Sequence, residues 1–156
     1  MIFRDRRMDA LHPTWGGIDP LAAEAVFTDL TTYLGKSIEA IAEEFWQYRE
    51  HEDVHAQERV ATATAETVVM DYYQTTPLYL YELSYWEACH DKQRWFRVVA
   101  RACRRFGLRR VLDYGGGVGG VSLFLQSRDI VCDYLDVAGQ TFEYARWRFA
   151  RRSLPV

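Results

Sequence analysis

Arg110-Val-Leu-Asp-Tyr-Gly-Gly-Gly-Val-Gly-Gly120 is the stretch that indicates how this chain folds. Its first five residues predict a short strand, and the glycines behind them predict a loop. Residues 121–127 then read as a helix, residues 129–136 as a second strand and residues 140–152 as a last helix. A strand, a glycine loop, a helix, a strand and a helix in this order open a parallel α/β sheet.

The chain before this stretch reads as helical. Asp19, which a proline follows, predicts a helix start, and Gly35 predicts an interruption before Ser37 begins a second helix. Asp91 is expected to cap a later helix that ends at Gly107. We therefore expect an α/β fold with a helical region over residues 1–106 and a partial α/β core over residues 107–156.

Composition narrows the class of protein. With 156 residues, 49% hydrophobic and 26% charged, the chain has the size and balance of a globular domain and not of a disordered segment. No apolar run approaches the roughly 20 residues of a membrane helix, and the N-terminus has no apolar signal region. The 3 cysteines are widely spaced, which suits a reducing compartment. We expect a cytoplasmic protein without a membrane partner.

Charge is distributed unevenly along the chain. Residues 1–93 carry a net charge of −10 and residues 94–156 a net charge of +7. The favoured interpretation is that the two halves pack together and complement each other. The basic half also permits phosphate or nucleic acid as a partner, but no aromatic and basic strand surface typical of an RNA-binding module is visible. Nucleic acid is therefore not the favoured partner.

The glycine loop satisfies two templates. Gly115, Gly117 and Gly120 fit the dinucleotide fingerprint G-x-G-x-x-G, whereas Asp113 with Gly115, Gly117 and Gly119 fits D-x-G-x-G-x-G. In both, glycine lets the backbone approach a ligand closely. A carboxylate at Asp113 would repel a pyrophosphate, but it favours the ammonium and sulfonium of S-adenosylmethionine. The charge therefore favours the methyl donor over NAD.

Asp136 is the second acidic candidate. It lies at the carboxyl end of the predicted second strand, 17 residues beyond Gly119. A βαβ unit brings an acid at this position beside the ribose of an adenosine ligand, where a carboxylate can accept hydrogen bonds from both hydroxyls.

Residues 111–120, VLDYGGGVGG, and residues 134–137, YLDV, resemble motif I and the acidic position after the second strand of class I S-adenosylmethionine-dependent methyltransferases. The resemblance implies a Rossmann-like core, here an incomplete βαβα unit, under a helical N-terminal cap. It implies S-adenosylmethionine as the cofactor and methyl transfer to a small-molecule acceptor. The cofactor would be held by Asp113, Gly115, Gly116, Gly117, Gly119, Asp136 and Val137, with Asp136 at the ribose and Val137 beside the adenine.

The methyltransferase family that the chain resembles has a sheet of seven strands, whereas this sequence predicts two. Two parallel strands cannot bury both faces or satisfy their edges independently. We therefore expect either a fragment of a longer enzyme or a sheet that is completed by another chain, which includes a homo-oligomer. No catalytic residue is assigned. Tyr72, Tyr73, Tyr79 and Tyr81 are candidates to line an acceptor pocket, although core packing is the favoured role for them.

Two other classes of protein remain open. One is a non-catalytic interaction module whose glycine loop is a relic. The other is a metal protein, because residues 51–55 read H-E-D-V-H, the zinc motif H-E-x-x-H. Glu52-x-x-His55 and Glu87-x-x-His90 also resemble the paired motifs of di-iron bundles. Further glutamates that could complete such a site are Glu24, Glu43, Glu44 and Glu66. A solvated helix face is the favoured interpretation of residues 49–59.

Overall fold

The computed structural model describes residues 17–60, 74 and 76–155, without the side chains of residues 50–60. These residues form, in chain order, helices α1 (Pro20–Leu34), α2 (Ile38–Val60), α3 (Pro77–Glu87) and α4 (His90–Arg105). They continue with strand β1 (Arg110–Tyr114), helix α5 (Gly120–Gln126), strand β2 (Val131–Leu135) and helix α6 (Gln140–Arg151). The architecture is mixed α/β and mostly helical.

Local signals set the ends of α1 and the start of α2. Asp19 Oδ1 accepts hydrogen bonds from the backbone N–H groups of Leu21 and Ala22, at 3.1 and 3.2 Å, which satisfies donors that lack an intrahelical partner. Gly35 ends α1 with a φ of 64°. The Ser37 hydroxyl then accepts from the backbone N–H of the residue three positions on, at 3.2 Å. These three predictions are confirmed.

The predicted start of α4, with Asp91 as its cap, is wrong by two residues. Cys89 is the N-cap and forms no side-chain cap, and Asp91 lies inside the first turn. The reason is a contact with the N-terminal segment: Cys89 forms an isolated antiparallel bridge with Ile18, and the His90 N–H donates to the Gly17 carbonyl at 2.9 Å. This pairing joins residues some seventy positions apart and fixes the backbone at Cys89. The helix therefore begins before Asp91, which does not become its N-cap.

The two strands pair in parallel, as predicted. Arg110 is opposite Val131 and the register continues to Tyr114 opposite Leu135. Successive side chains of a strand point to opposite faces. On one face Cys132 packs with residues of α4 and α5, and Tyr134 packs against α6. Helices of the described chain therefore cover one face of the sheet.

The other face of the sheet is exposed to solvent. It carries four large apolar side chains, which are 48–81% exposed: Leu112, Tyr114, Val131 and Leu135. Arg110 and Asp133 complete it with an ion pair in which Arg110 Nε donates to Asp133 Oδ2 at 2.7 Å. We call these six residues the bare sheet face. A parallel sheet normally has both faces buried, so this face is unusual for its type.

The helical region has its own core, which reaches α6. Tyr81 and Tyr85 of α3 pack with Leu30 of α1, Phe45 of α2 and Tyr144 of α6. Because α6 also packs on β2, it joins this core to the sheet. None of the described helices is long and apolar enough to span a bilayer.

Candidate functional site

The glycine loop lies at the carboxyl edge of the two strands. Gly115, Gly117 and Gly119 have φ values of +69°, +55° and +79°, a left-handed conformation that glycine adopts at little cost. The Gly115 N–H donates to the Leu135 carbonyl at 2.8 Å, and the Gly119 N–H donates to the Gly116 carbonyl at 2.9 Å. The loop therefore turns over the end of β2 before it enters α5.

Asp136 is joined to this loop. Its Oδ2 accepts a hydrogen bond from the backbone N–H of Gly117, and its Oδ1 accepts from the Val137 N–H at 2.6 Å. The Tyr134 hydroxyl donates to the Gly117 carbonyl at 2.6 Å. The backbone N–H and the carbonyl of Gly117 are therefore both bonded to side chains of β2 or of the residue after it. The acid that follows β2 therefore lies against the glycine loop.

Asp113 lies beneath the same loop. Its Oδ2 accepts from the Ser122 hydroxyl at 2.7 Å. Burial raises the pKa of Asp113, and the nearby charge of Asp136 raises it further. The Ser122 hydrogen bonds and the charge of Lys92 act in the opposite direction. A carboxylate that is poorly solvated and close to a second carboxylate favours a nearby cation.

Lys92, in the first turn of α4, is a cation near this site that the sequence reasoning missed. Its Nζ lies 3.7 Å from the centre of the Trp86 ring. Burial lowers the pKa of Lys92, while the charges of Asp113 and Glu87 oppose that shift. The indole face supplies a cation–π contact that partly replaces the lost water. No local motif signals this residue, because Lys92 reaches the site only through the packing of α3 on α4.

Most of the loop glycines are packed against the protein itself. A Cβ on Gly116 would lie 2.6 Å from the Tyr134 ring, and one on Gly117 would lie 2.7 Å from Leu83 Cδ1. Gly115 differs, since a Cβ there would meet no atom within 4 Å. At these two positions, glycine therefore permits a close approach to Tyr134 and Leu83 of the same chain. Beside Gly115, in contrast, the space is open.

A buried cluster of charged side chains fixes the last part of the loop. A Cβ on Gly120 would lie 2.6 Å from the Glu87 carboxyl carbon. Arg148 Nη1 and Nη2 donate to the two oxygens of that carboxylate at 2.7 and 2.8 Å, and Nη1 also donates to the Val118 carbonyl at 2.8 Å. Arg148 Nε donates to Asp29 Oδ2 at 3.0 Å. Arg148 thus ties α1 and α3 to the loop.

This cluster is where the two halves of the chain complement each other. Asp29 and Glu87 come from the acidic half, and Arg148 comes from the basic half with Arg152, whose Nη2 donates to Asp29 Oδ2 at 2.6 Å. The pairing supports the charge interpretation at this point of contact. Arg148 lies four positions beyond the buried Tyr144 and so on the same face of α6.

The other predicted candidates lie elsewhere. Tyr81 is a core residue whose hydroxyl donates to Glu44 Oε2 at 2.8 Å, which agrees with the packing role favoured for it. Tyr72 and Tyr73 fall outside the described residues. The helix α2 carries residues 51–55, but their side chains also fall outside what the structure describes.

The di-iron alternative has no support from Glu87 and His90. Glu87 is occupied by the guanidinium of Arg148, and His90 Nδ1 lies 3.4 Å from Asp19 Oδ2. Within the described part of the chain, no group of three or more His, Cys, Asp and Glu side chains could hold a metal ion.

The seven residues proposed to hold a cofactor all lie at one edge of the sheet. Asp113 is the last residue but one of β1, the four glycines lie in the loop after β1, and Asp136 and Val137 directly follow β2.

Comparison of the chain with protein-family models, with curated proteins and with solved structures found no match.

Proposed function

We propose that this chain binds S-adenosylmethionine at the carboxyl edge of its two-stranded sheet, as part of a methyltransferase that acts on a small molecule. The observation that carries the proposal is the placement of Asp113 and Asp136 on either side of the glycine loop, with Asp136 hydrogen-bonded to Gly117. Two carboxylates at this edge, within reach of each other's charge, suit a ligand that is cationic at one end and carries a ribose.

The residues present fit this ligand. The partly desolvated carboxylate of Asp113 suits the ammonium and sulfonium of the methionine moiety. Each oxygen of Asp136 accepts one hydrogen bond within the chain and retains capacity to accept another from a ribose hydroxyl. The open space beside Gly115 leaves room for the ligand to reach the loop. Val137, directly after the acid, would lie beside the adenine.

The cofactor, when bound, supplies the methyl group on a sulfonium that is itself a good leaving group. The contribution of this chain would then be to bind and orient the ligand. Asp113 would hold the charged end, the buried cluster around Arg148 would keep the loop in place, and Asp136 would fix the ribose. We assign no catalytic residue among the described side chains.

Calorimetric titration of the full chain with S-adenosylhomocysteine, with NAD as the control ligand, tests the proposal. Saturable binding of S-adenosylhomocysteine without binding of NAD is the expected result. Binding of NAD with equal or higher affinity would instead support the dinucleotide template. If neither ligand binds, the proposal fails and the second candidate function, described next, is the one that stands.

That second candidate is a non-catalytic interaction module, and the packing of the loop favours it. Gly116, Gly117 and Gly120 are each required by a neighbouring side chain of the same chain, so the loop would keep these glycines without any ligand. The bare sheet face supplies the interaction surface, and a second copy of the chain is the partner we propose for it. Light scattering distinguishes this candidate from a simple fragment of an enzyme, because self-association of the ligand-free chain is expected from this surface.

A further inference from the structure

Five arginines form a stripe along the outer surface of α4. They are all exposed, and no acidic residue interrupts them; we call them the arginine stripe: Arg94, Arg97, Arg101, Arg104 and Arg105. The opposite side of the same helix is buried in the core through Phe96, Ala100 and Cys103. The helix is therefore strongly amphipathic, with its basic side turned to solvent.

The stripe is not neutralised within the described part of the chain. Arg148 and Arg152 of the basic half pair with acids of the acidic half. No arginine of the stripe forms an ion pair with any described side chain, and Asp91 at the start of α4 is the one acid on this helix. Complementarity between the two halves therefore accounts for Arg148 and Arg152 and leaves the charge of α4 uncompensated by described residues.

The spacing of the stripe suits a chain of phosphates. At 100° and 1.5 Å per residue, the five positions fall within an arc of about 100° and extend over about 16 Å of the helix. Successive positions of the stripe thus rise by about 1.5 to 6 Å along the axis, on the scale of the roughly 3.4 Å spacing of charges along one nucleic-acid strand. Each guanidinium can bind phosphate oxygens in a bidentate manner.

Aromatic side chains flank the stripe. Trp95 is 49% exposed and Phe106, directly after the helix, is 71% exposed. Exposed aromatic rings beside a basic track are the combination by which proteins hold single strands, because the bases stack on the rings while the backbone follows the cations. A duplex would offer phosphates to the stripe but no free base to these rings.

We propose that the outer face of α4 is a docking surface for single-stranded nucleic acid. The arginine stripe binds successive phosphates, and Trp95 and Phe106 accept stacked bases. An anionic lipid surface suits this helix less well, because its apolar side is already buried in the core and cannot insert between lipids. The surface is distinct from the carboxyl edge of the sheet, so this proposal does not depend on cofactor binding.

The test is a fluorescence-anisotropy titration of the full chain, without cofactor, using a labelled oligouridylate of about 12 nucleotides. Binding is expected to weaken with salt, with a slope of about −3 to −4 in log affinity against log salt for five phosphate contacts. The double variant Arg97→Glu, Arg101→Glu should weaken binding by about tenfold or more. The matched control Arg146→Glu, Arg151→Glu makes the same change in net charge on α6 and should change affinity by less than about twofold.

Trp95→Ala examines the stacking contact and is expected to weaken binding about fivefold. Circular dichroism of each variant shows whether it has folded, and the exposure of the substituted arginines favours folding of both double variants. Absence of binding, or equal loss in the α6 control, would overturn the proposal. Polyglutamate, a duplex and anionic vesicles are tested as competitors of the probe. If one of them displaces the probe as effectively as unlabelled oligouridylate does, the proposal is overturned in favour of that partner.

Discussion

Gly117, in the loop after β1, donates its backbone N–H to the carboxylate of Asp136, the residue that follows β2. These residues are brought together by the parallel pairing of the strands, which places both carboxyl ends at one edge. The same glycine accepts a hydrogen bond from Tyr134 through its carbonyl. The loop conformation and the position of the acid are therefore fixed by each other.

Removal of the Asp136 carboxylate is expected to weaken the binding of S-adenosylhomocysteine. Asp136→Ala should lose about 1–3 kcal/mol, the value of charge-assisted hydrogen bonds to the ribose. Calorimetry measures the loss. Asp133→Ala is the matched control, because it removes a carboxylate of the same strand from the bare sheet face. Asp136→Asn retains an acceptor for Gly117, so it separates the loss of charge from a change in the loop. Unchanged affinity in both Asp136 variants would remove this residue from the site.

The ionisation of Asp113 is expected to have opposite effects on stability and on binding. Burial raises the pKa of Asp113, so the folded chain retains this proton to a higher pH than the unfolded chain does. In that window the folded state binds more protons, and the contribution of Asp113 to the free energy of unfolding falls as pH rises. Binding of the ligand's ammonium needs the ionised form, so affinity should fall as pH decreases through the same raised pKa.

Asp113→Asn isolates this ionisation. The amide oxygen can still accept from Ser122, and the poorly solvated charge is gone. We expect the free energy of unfolding at pH 7 to be unchanged or higher, whereas affinity for S-adenosylhomocysteine falls about tenfold and loses its pH dependence in the acidic range. Denaturant unfolding and calorimetry, from the ordinary aspartate pKa of 3.8 up to about pH 7, measure the two quantities. A variant that loses stability and keeps its affinity would contradict the assigned role.

Arg148 should be a large contributor to stability through the groups that it pairs. Arg148→Met leaves the buried carboxylate of Glu87 without a guanidinium and leaves Asp29 with that of Arg152 alone, and breaking a buried pair in this way costs about 3–5 kcal/mol. Arg146→Met, two residues earlier on the exposed side of α6, should change the free energy of unfolding by less than about 0.5 kcal/mol. Urea unfolding compares them. A triple variant that also carries Glu87→Gln and Asp29→Asn should recover part of the loss in the free energy of unfolding. Equal losses for the Arg148 and Arg146 variants would refute the buried cluster as a stabilising feature.

The bare sheet face should control self-association without controlling folding. Leu112→Lys with Leu135→Glu is expected to shift the chain from dimer to monomer, because these apolar side chains would form the contact. The free energy of unfolding should change by less than about 0.5 kcal/mol for each substitution, since both side chains are exposed in the single chain. Light scattering measures the mass, and Leu21→Lys on α1 is a control at another exposed leucine. A wild-type chain that is already monomeric would contradict the second copy as the partner.

Much of the local structure could be predicted because its causes lie within a few residues. The caps at Asp19 and Ser37 and the left-handed glycines at Gly35 and Gly107 depend on neighbouring backbone groups. The order of a short strand, a glycine loop, a helix and a second strand likewise indicated two short strands in parallel. The start of α4 escaped prediction, because the bridge between Ile18 and Cys89 displaces the cap that Asp91 would supply.

The sequence by itself determined the order of helices and strands, the glycine positions with positive φ and the two acids that end the strands, since short-range sterics and hydrogen bonds decide these. Tertiary structure alone decided which charges are buried and which face of the sheet is exposed. Asp29 and Arg148 are 119 positions apart, and no local pattern connects them. Burial and charge pairing depend on which surfaces meet in space, and only the packed chain brings those surfaces together.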